Sequence, residues 1–272
     1  MKDLLKKYKS MRDFGDTPEP SGGKPKKTKL PIFVIQKHAA SHLHYDFRLE
    51  MEGVLKSWAV PKGPSYDPAV KRLAMMTEDH PYDYASFEGV IPAGNYGGGN
   101  VIIWDSGTFE LTEPNDPVKG VKSGKLAFRM FGKKMFGEWA LVKIKGRPGS
   151  KGNEWLLLKH RDEFANPDVD VTELAPRSIV SNLTVEEIGA SKRTWQSNRS
   201  ASQSGKNAPT LASKLEAAKK KSAKKKTTKK RSPASPPSRS ARAPKKAASS
   251  PTRSSRAGSP RATAPTPRRR PR

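Results

Sequence analysis

The sequence contains no cysteine. Neither a disulfide framework nor a thiolate metal centre is open to it, so any bound ion must be held by nitrogen and oxygen. Long apolar runs are missing as well. Nowhere do ~18 consecutive apolar residues occur, which excludes a membrane-spanning helix. The opening MKDLLKKYKS lacks an apolar stretch of signal-peptide length. The expectation is a reducing intracellular compartment, cytoplasmic and nucleoid-associated. Acids are scarce at one end only. Of the 53 Lys and Arg, 25 fall after residue 190, against a single acid, Glu216. Residues 1–190 hold 28 basic and 25 acidic side chains, so the net charge of +27 divides into +24 after residue 190 and +3 before it. A segment that basic is drawn to the polyanions of its compartment, which are nucleic acids.

These contrasts divide the chain into four parts. Residues 191–272 reduce to Lys, Arg, Ser, Ala, Pro and Thr, with Trp195 the one aromatic. Runs such as KKKSAKKKTTKKR bury too little apolar surface to offset ordering entropy, so this tail is expected to be disordered. Residues 1–29 read as a polar arm with one short helix at Leu4–Arg12. In residues 30–165, short apolar or alternating runs recur every ten to fifteen residues: PIFVIQK, LHYDFRLEM, VLKSWAV, RLAMMTE, NVIIW, GTFEL, KLAFRMF, EWALVKI and EWLLLK. PKGP, PAGNYGGG, DSG, FGKKMFG and KGN separate them, rich in tight-turn residues. About eight or nine strands with one or two short peripheral helices give a mainly β domain, a compact barrel or a sandwich. Residues 166–190 trail behind, with a capping box expected at Thr184-Val-Glu-Glu.

The chemistry concentrates in Ser41-His42-Leu43-His44-Tyr45-Asp46-Phe47-Arg48-Leu49-Glu50. At strand period two, His42, His44, Asp46, Arg48 and Glu50 share one face, and the apolar residues between them share the other. The preceding run places Gln36 and His38 on one face as well. If the two segments are neighbours, His38, His44 and Asp46 form a two-His, one-carboxylate set suited to Mn²⁺, Fe²⁺ or Zn²⁺, with Arg48 beside it as a fork for phosphate. The same pattern also fits a solvated sheet face. Against that, four of the five histidines (38, 42, 44 and 80) lie within 43 residues, among carboxylates and an arginine. A second cluster runs from Arg72 through Glu78, Asp79 and His80 to Tyr84, where His80 can act as proton donor or phosphate ligand. Lys62 sits in the PKGP turn. PAGNYGGGN matches no phosphate-loop pattern and reads as a hairpin turn, and His160 as structural.

At QKHAASHLHYDFRLEMEGVLKSWAVPKGPS and TEDHPYDYASFEGVIPAGNYGGGNVIIWD the sequence resembles the 3′-phosphoesterase domain of bacterial DNA ligase D, which acts in non-homologous end joining. The likeness covers about Tyr8 to Arg199, including MRDFGDTPEP in the arm, and leaves out the basic tail. It implies a free-standing β-barrel enzyme, dependent on Mn²⁺, that removes a 3′-terminal ribonucleoside and then the exposed 3′-phosphate. It implies His38, His44 and Asp46 as metal ligands. Arg48, Arg72 and His80 would bind or protonate the phosphate, assisted by Lys62, Glu78, Tyr84 and Gln36, and the arm would contribute Arg12, Asp13 and Glu19. Implied partners are DNA or RNA-tipped DNA 3′ ends, a separate DNA ligase and Ku-type end-joining proteins. On this reading Arg48, on a polar face, serves chemistry more than folding.

Two other classes compete. His44-x-Asp46 with distal His160 outlines a non-haem Fe(II) oxygenase triad, which leaves His38, Arg48, Arg72 and His80 without a task. A non-enzymatic, architectural nucleic-acid-binding protein would need only the tail, and has no use for a His/Asp face.

Overall fold

The computed structural model describes residues 3–22, 30–146 and 149–191. Residues 192–272, nearly all of the segment expected to be disordered, lie outside them. Ten strands form one antiparallel sheet: β1 (Ile32–Ala39), β2 (Leu43–Met51), β3 (Val54–Val60), β4 (Arg72–Met76), β5 (His80–Pro81), β6 (Gly89–Ile91), β7 (Gly99–Glu113), β8 (Lys125–Gly132), β9 (Phe136–Lys143) and β10 (Glu154–Lys159). Eight of them follow the order β1-β2-β3-β4-β10-β9-β8-β7, and β7 pairs back onto β1. That last pairing closes a barrel and removes the sheet edges. β5 adds to β3 and β6 to β7, outside the ring. The mainly β barrel expected from the strand runs is thus the fold.

Local chemistry explains individual elements. Met51 pairs with Val54 across a two-residue turn, and both turn residues, Glu52 (φ 54) and Gly53 (φ 77), are left-handed, as a primed hairpin turn demands. NVIIW and GTFEL, expected as two strands divided by DSG, are a single strand, β7. The register against β1 slips by one residue between Ile35 and Gln36. Such a bulge lets one strand change which residues face inward. Trp104, the residue without a partner on β1, faces the core, as do Phe109 and Leu111 beyond it. Gly107 keeps β7 close to β8, since a Cβ there would lie 2.1 Å from the Phe131 carbonyl oxygen.

Among the described residues four short α-helices lie beside the barrel, where one or two were expected. α1 (Lys6–Ser10) falls inside the span expected of the arm, and α4 (Val185–Ala190) carries the full capping box of Thr184 and Glu187. α2 (Pro117–Ser123) and α3 (Val171–Leu174) were not foreseen. Their signals were an Asp N-cap each, at Asp116 and Asp170, with Pro117 at the first helical position and left-handed Gly124 closing α2. No described helix is long and apolar enough to cross a membrane.

The barrel is filled. Trp58, Trp104, Trp139 and Trp155 lie inside at 0–1% exposure, packed with Phe33, Phe47, Phe128 and Leu141. A second cluster lies on the outer face of β1, β3 and β7, where Val34, Leu55, Val101 and Ile103 meet Tyr8 of the arm together with Tyr84, Phe87 and Ile91. The arm therefore packs onto the outside of the barrel, over the polar face of β1 and β2.

Candidate metal centre and phosphate site

Antiparallel pairing of β1 with β2 sets His38 opposite His44 and Gln36 opposite Asp46. Strand pleating then turns all four side chains to the outer face. The ligand atoms of His38, His44 and Asp46 lie within 4.8 Å of one another, the one such group of three among the described residues. Both imidazoles are oriented by the backbone. His38 Nε2 donates to the Gly97 carbonyl at 2.8 Å, which leaves Nδ1 as the free lone pair, 3.4 Å from Asp46 Oδ2. His44 Nδ1 donates to the His42 carbonyl at 2.9 Å, which leaves Nε2 facing Asp46 Oδ1 at 3.6 Å. An outer N–H held by a carbonyl, with the inner nitrogen turned to a shared carboxylate, is the tautomer arrangement a metal ligand requires. The triad can hold a metal ion. His42, expected on the same face, instead precedes β2, is exposed, and contributes its carbonyl.

Arg48 is not on a solvated surface, contrary to expectation. It is 2% exposed. Its Nε donates to Gln36 Oε1 at 2.8 Å, Nη1 to Ser57 Oγ at 2.8 Å and Nη2 to Asp46 Oδ2 at 2.9 Å. Its guanidinium also lies 4.8 Å from the Tyr84 ring centre. Three of five N–H groups are used, leaving one on each terminal nitrogen. Gln36 is itself fixed by donating to the Tyr84 and Phe87 carbonyls. The guanidinium holds the Asp46 carboxyl well below its usual range despite burial.

The arm supplies the roof. The Arg12 side chain is 4% exposed and bonds Glu19 Oε1 at 2.9 Å, Glu78 Oε1 at 3.3 Å and His80 Nε2 at 3.2 Å. Glu19 is held in turn by the Thr17 and Tyr84 hydroxyls, at 2.9 Å each. His80 enters beside Leu55 through β5 and donates from Nδ1 to the Glu78 carbonyl. Its Nε2 therefore carries a lone pair that accepts from Arg12. Burial first, then the positive charges of Arg48 and Arg12, push the imidazole well below its ordinary pKa, so it is neutral. The charges of this cluster fit a cation. Three carboxylates (Asp46, Glu19, Glu78) face two guanidiniums (Arg12, Arg48), a net of −1 that would repel phosphate, and a divalent ion turns it to +1.

Of the residues singled out in the sequence, the structure gathers His38, His44, Asp46, Arg48, Gln36, Glu78, His80, Tyr84, Arg12 and Glu19 into one hydrogen-bonded cluster. Asp13 is exposed and shapes a turn, accepting from the Gly15 amide. Lys62 and Arg72 stand apart from the cluster. Lys62 follows β3, whose Val60 pairs with Tyr45, so it lies at the barrel end where β2 begins. Arg72 opens β4 with the inward parity of Ala74 and lies in the field of Asp170, which caps α3. His160 is exposed, 3.9 Å from Glu138, and joins no triad, which removes the oxygenase arrangement. Sequence reasoning missed Ser57, which links Arg48 to His80 at 2.8 and 3.3 Å. A lone small polar residue in the apolar run VLKSWAV was its signal. It also missed Tyr96, whose ring centre lies 5.5 Å from the Arg12 guanidinium; nothing in the hairpin motif pointed to it.

Comparison with known proteins bears on this cluster. Residues 36–143 match the family model described as the DNA Ligase D 3′-phosphoesterase domain. The chain is 51% identical over 185 residues to the multifunctional non-homologous end joining protein LigD of Pseudomonas aeruginosa, covering 66% of this chain and 22% of that protein. It is 40% identical over 195 residues to the multifunctional non-homologous end joining DNA repair protein LigD of Mycobacterium tuberculosis, covering 71% and 24%. With the LigD of Mycolicibacterium smegmatis it is 42% identical over 196 residues, covering 68% and 24%. The chain thus spans about a quarter of the length of these relatives.

Proposed function

Residues 36–143 belong to the DNA ligase D 3′-phosphoesterase domain family, and from that premise we propose that this chain is a Mn²⁺-dependent phosphoesterase that heals nucleic-acid 3′ ends to 3′-OH. The observation that carries the reading is the shared carboxylate. Asp46 faces both imidazoles and also accepts from Arg48, which ties the three candidate metal ligands to the guanidinium and supports the reading.

His38 Nδ1, His44 Nε2 and Asp46 would hold the ion, a sulfur-free donor set suited to Mn²⁺ and other divalent transition metals. When bound, the ion supplies Lewis-acid polarisation of a phosphoryl oxygen. The chain does the rest. Arg48 offers its two remaining N–H groups to the phosphoryl oxygens and neutralises charge that builds in the transition state. A bound phosphate, taking the place of the Arg12 bond at Nε2, would raise the His80 pKa from its depressed value, and the imidazole would then give a proton to the oxygen of the P–O bond that breaks, while the attacking water loses one to solvent. Arg12 and Tyr84 position His80 and Glu19, while the arm excludes solvent. Lys62, exposed and outside the cluster, suits a phosphate flanking the scissile one, whereas the inward parity of Arg72 gives it no such reach. The substrates on this reading are DNA or RNA-tipped DNA 3′ ends in a cytoplasmic, nucleoid-associated setting, with a separate ligase and Ku-type proteins as partners.

The test is a labelled duplex bearing a 3′-terminal ribonucleotide, incubated with EDTA or Mn²⁺. Nucleoside and then phosphate should be released with Mn²⁺ alone, and not by His44→Ala or Asp46→Ala. Release by folded Asp46→Ala at the wild-type rate would sink the metal assignment.

A further inference from the structure

A groove of about 630 Å³ runs beside the metal triad, between residues 39–41 of the β1–β2 turn and residues 90–100 of the glycine-rich β6–β7 hairpin. It begins where the triad ends, since Ala39 follows His38 and Gly97 accepts the His38 N–H. The two walls approach backbone to backbone: a Cβ on Gly99 would lie 2.2 Å from the Ala39 carbonyl oxygen. Not one of its lining side chains is charged. Ser41, Asn95 and Asn100 supply neutral polar atoms, and the rest are small or apolar. Tyr96, between two lining residues, adds a half-exposed aromatic ring on the side towards Arg12.

We propose that this groove seats the terminal nucleoside beyond the scissile phosphate, the leaving group of the diester reaction; the assignment rests on the function proposed above. Charge selects that occupant. The strand on the other side of the scissile phosphate carries a negative charge at every nucleotide and calls for cations. The terminal nucleoside has no phosphate of its own, and only its side of the reaction matches a groove without charge. The volume lies within the range of small-ligand sites. The amides and hydroxyl can meet sugar hydroxyls and base edges, and the Tyr96 ring offers a face on which any base can stack. A 3′-phosphate end places nothing in the groove.

The experiment fills the groove from either wall, with Ala93→Trp on the exposed hairpin and Ala40→Trp opposite. Each variant is assayed with Mn²⁺ on two duplexes, one ending in a 3′-ribonucleotide and one in a 3′-phosphate. Nucleoside removal should show a KM raised on the order of tenfold, while phosphate removal and melting temperature stay at wild-type values. Because Ala93 is exposed, its indole has room without displacing the core. Loss of both activities in properly folded variants, or of neither, would overturn the groove assignment. A wild-type protein inactive on both ends would instead refute the parent reading, and the groove assignment with it.

Discussion

Replacing Arg48 by alanine should damage stability and chemistry together. The side chain is 2% exposed, and its three bonds hold Gln36, Ser57 and Asp46 in place. Truncation leaves the Asp46 carboxylate buried without its strongest cationic partner and strips a donor from the Gln36 carbonyl. Breaking a buried, hydrogen-bonded ion pair from one side costs about 3–5 kcal/mol. In a domain of this size that corresponds to a fall in Tm on the order of 10 °C. The melt belongs in EDTA, since a bound cation would replace part of the lost charge on Asp46. Release of 3′-phosphate, measured well below the lower Tm with Mn²⁺ present, should slow on the order of 10²-fold or more. Arg48→Lys separates the two contributions: it keeps the charge but one ammonium cannot reach three partners, so most of the fork's positioning is lost. A Tm within about two degrees of wild type would refute the claim that the buried fork organises the site. A lowered Tm with undiminished turnover would reduce Arg48 to a structural role.

Deleting residues 1–20 removes Arg12 and Glu19 from above His80 and should abolish 3′-phosphate removal while far-UV circular dichroism retains its β signature; full activity would show that the roof is dispensable. Asp105 is buried, and its carboxyl is pushed up to about 6 by burial, against the pull of the Met135 and Lys133 amides. A carboxyl raised in the fold favours its protonated form, so its contribution to stability falls as pH rises from about 4 to 6, by about 3 kcal/mol. Urea melts across that window should show this slope in the wild type and lose it in Asp105→Asn. Glu52 holds φ 54 in the β2–β3 turn, and Glu52→Asn should raise stability by about 1 kcal/mol, read as a higher urea midpoint. Truncation after residue 190 removes +24 of charge and should raise KM and flatten its salt dependence while kcat and end preference stay; an unchanged salt slope would give the tail another task.

Much of the site was legible because it is local. His44, Asp46 and Arg48 share a strand, and period two alone puts them on one face. His38 needed one further assumption, that its strand is the neighbour, and the β1–β2 pairing meets it. What strand periodicity cannot reveal is what covers a face. A row of polar side chains looks the same whether water or another segment lies above it, so Arg48 read as surface although Tyr8, Arg12 and Tyr84 enclose it. The β7 bulge was hidden for a related reason. Its DSG sequence carries turn residues, and only tertiary pairing on both sides makes the strand continuous. Ser57 and Tyr96 depend on contacts across 9 and 84 residues, with Arg48 and Arg12 respectively, which no local pattern encodes.

The filled barrel explains why the site lies outside it. An eight-stranded barrel has interior space for side chains and little more, and here four tryptophans occupy that space. Polar chemistry is left with the outer face, where water would screen Arg48 and keep His80 near its ordinary titration range. Desolvation must then come from elsewhere in the chain. The arm, β5 and the turn at Tyr82–Ser86 provide it, and each also brings a polar group into the cluster: Arg12 and Glu19, His80, and Tyr84. The cover and the groups proposed for catalysis are therefore the same residues. A substitution that loosens the arm should lower activity even where no catalytic atom is changed. Tyr8→Phe, which loses only the 2.6 Å bond to the Pro20 carbonyl, is the mildest form of that perturbation, and it should restore the His80 pKa part of the way toward its usual value.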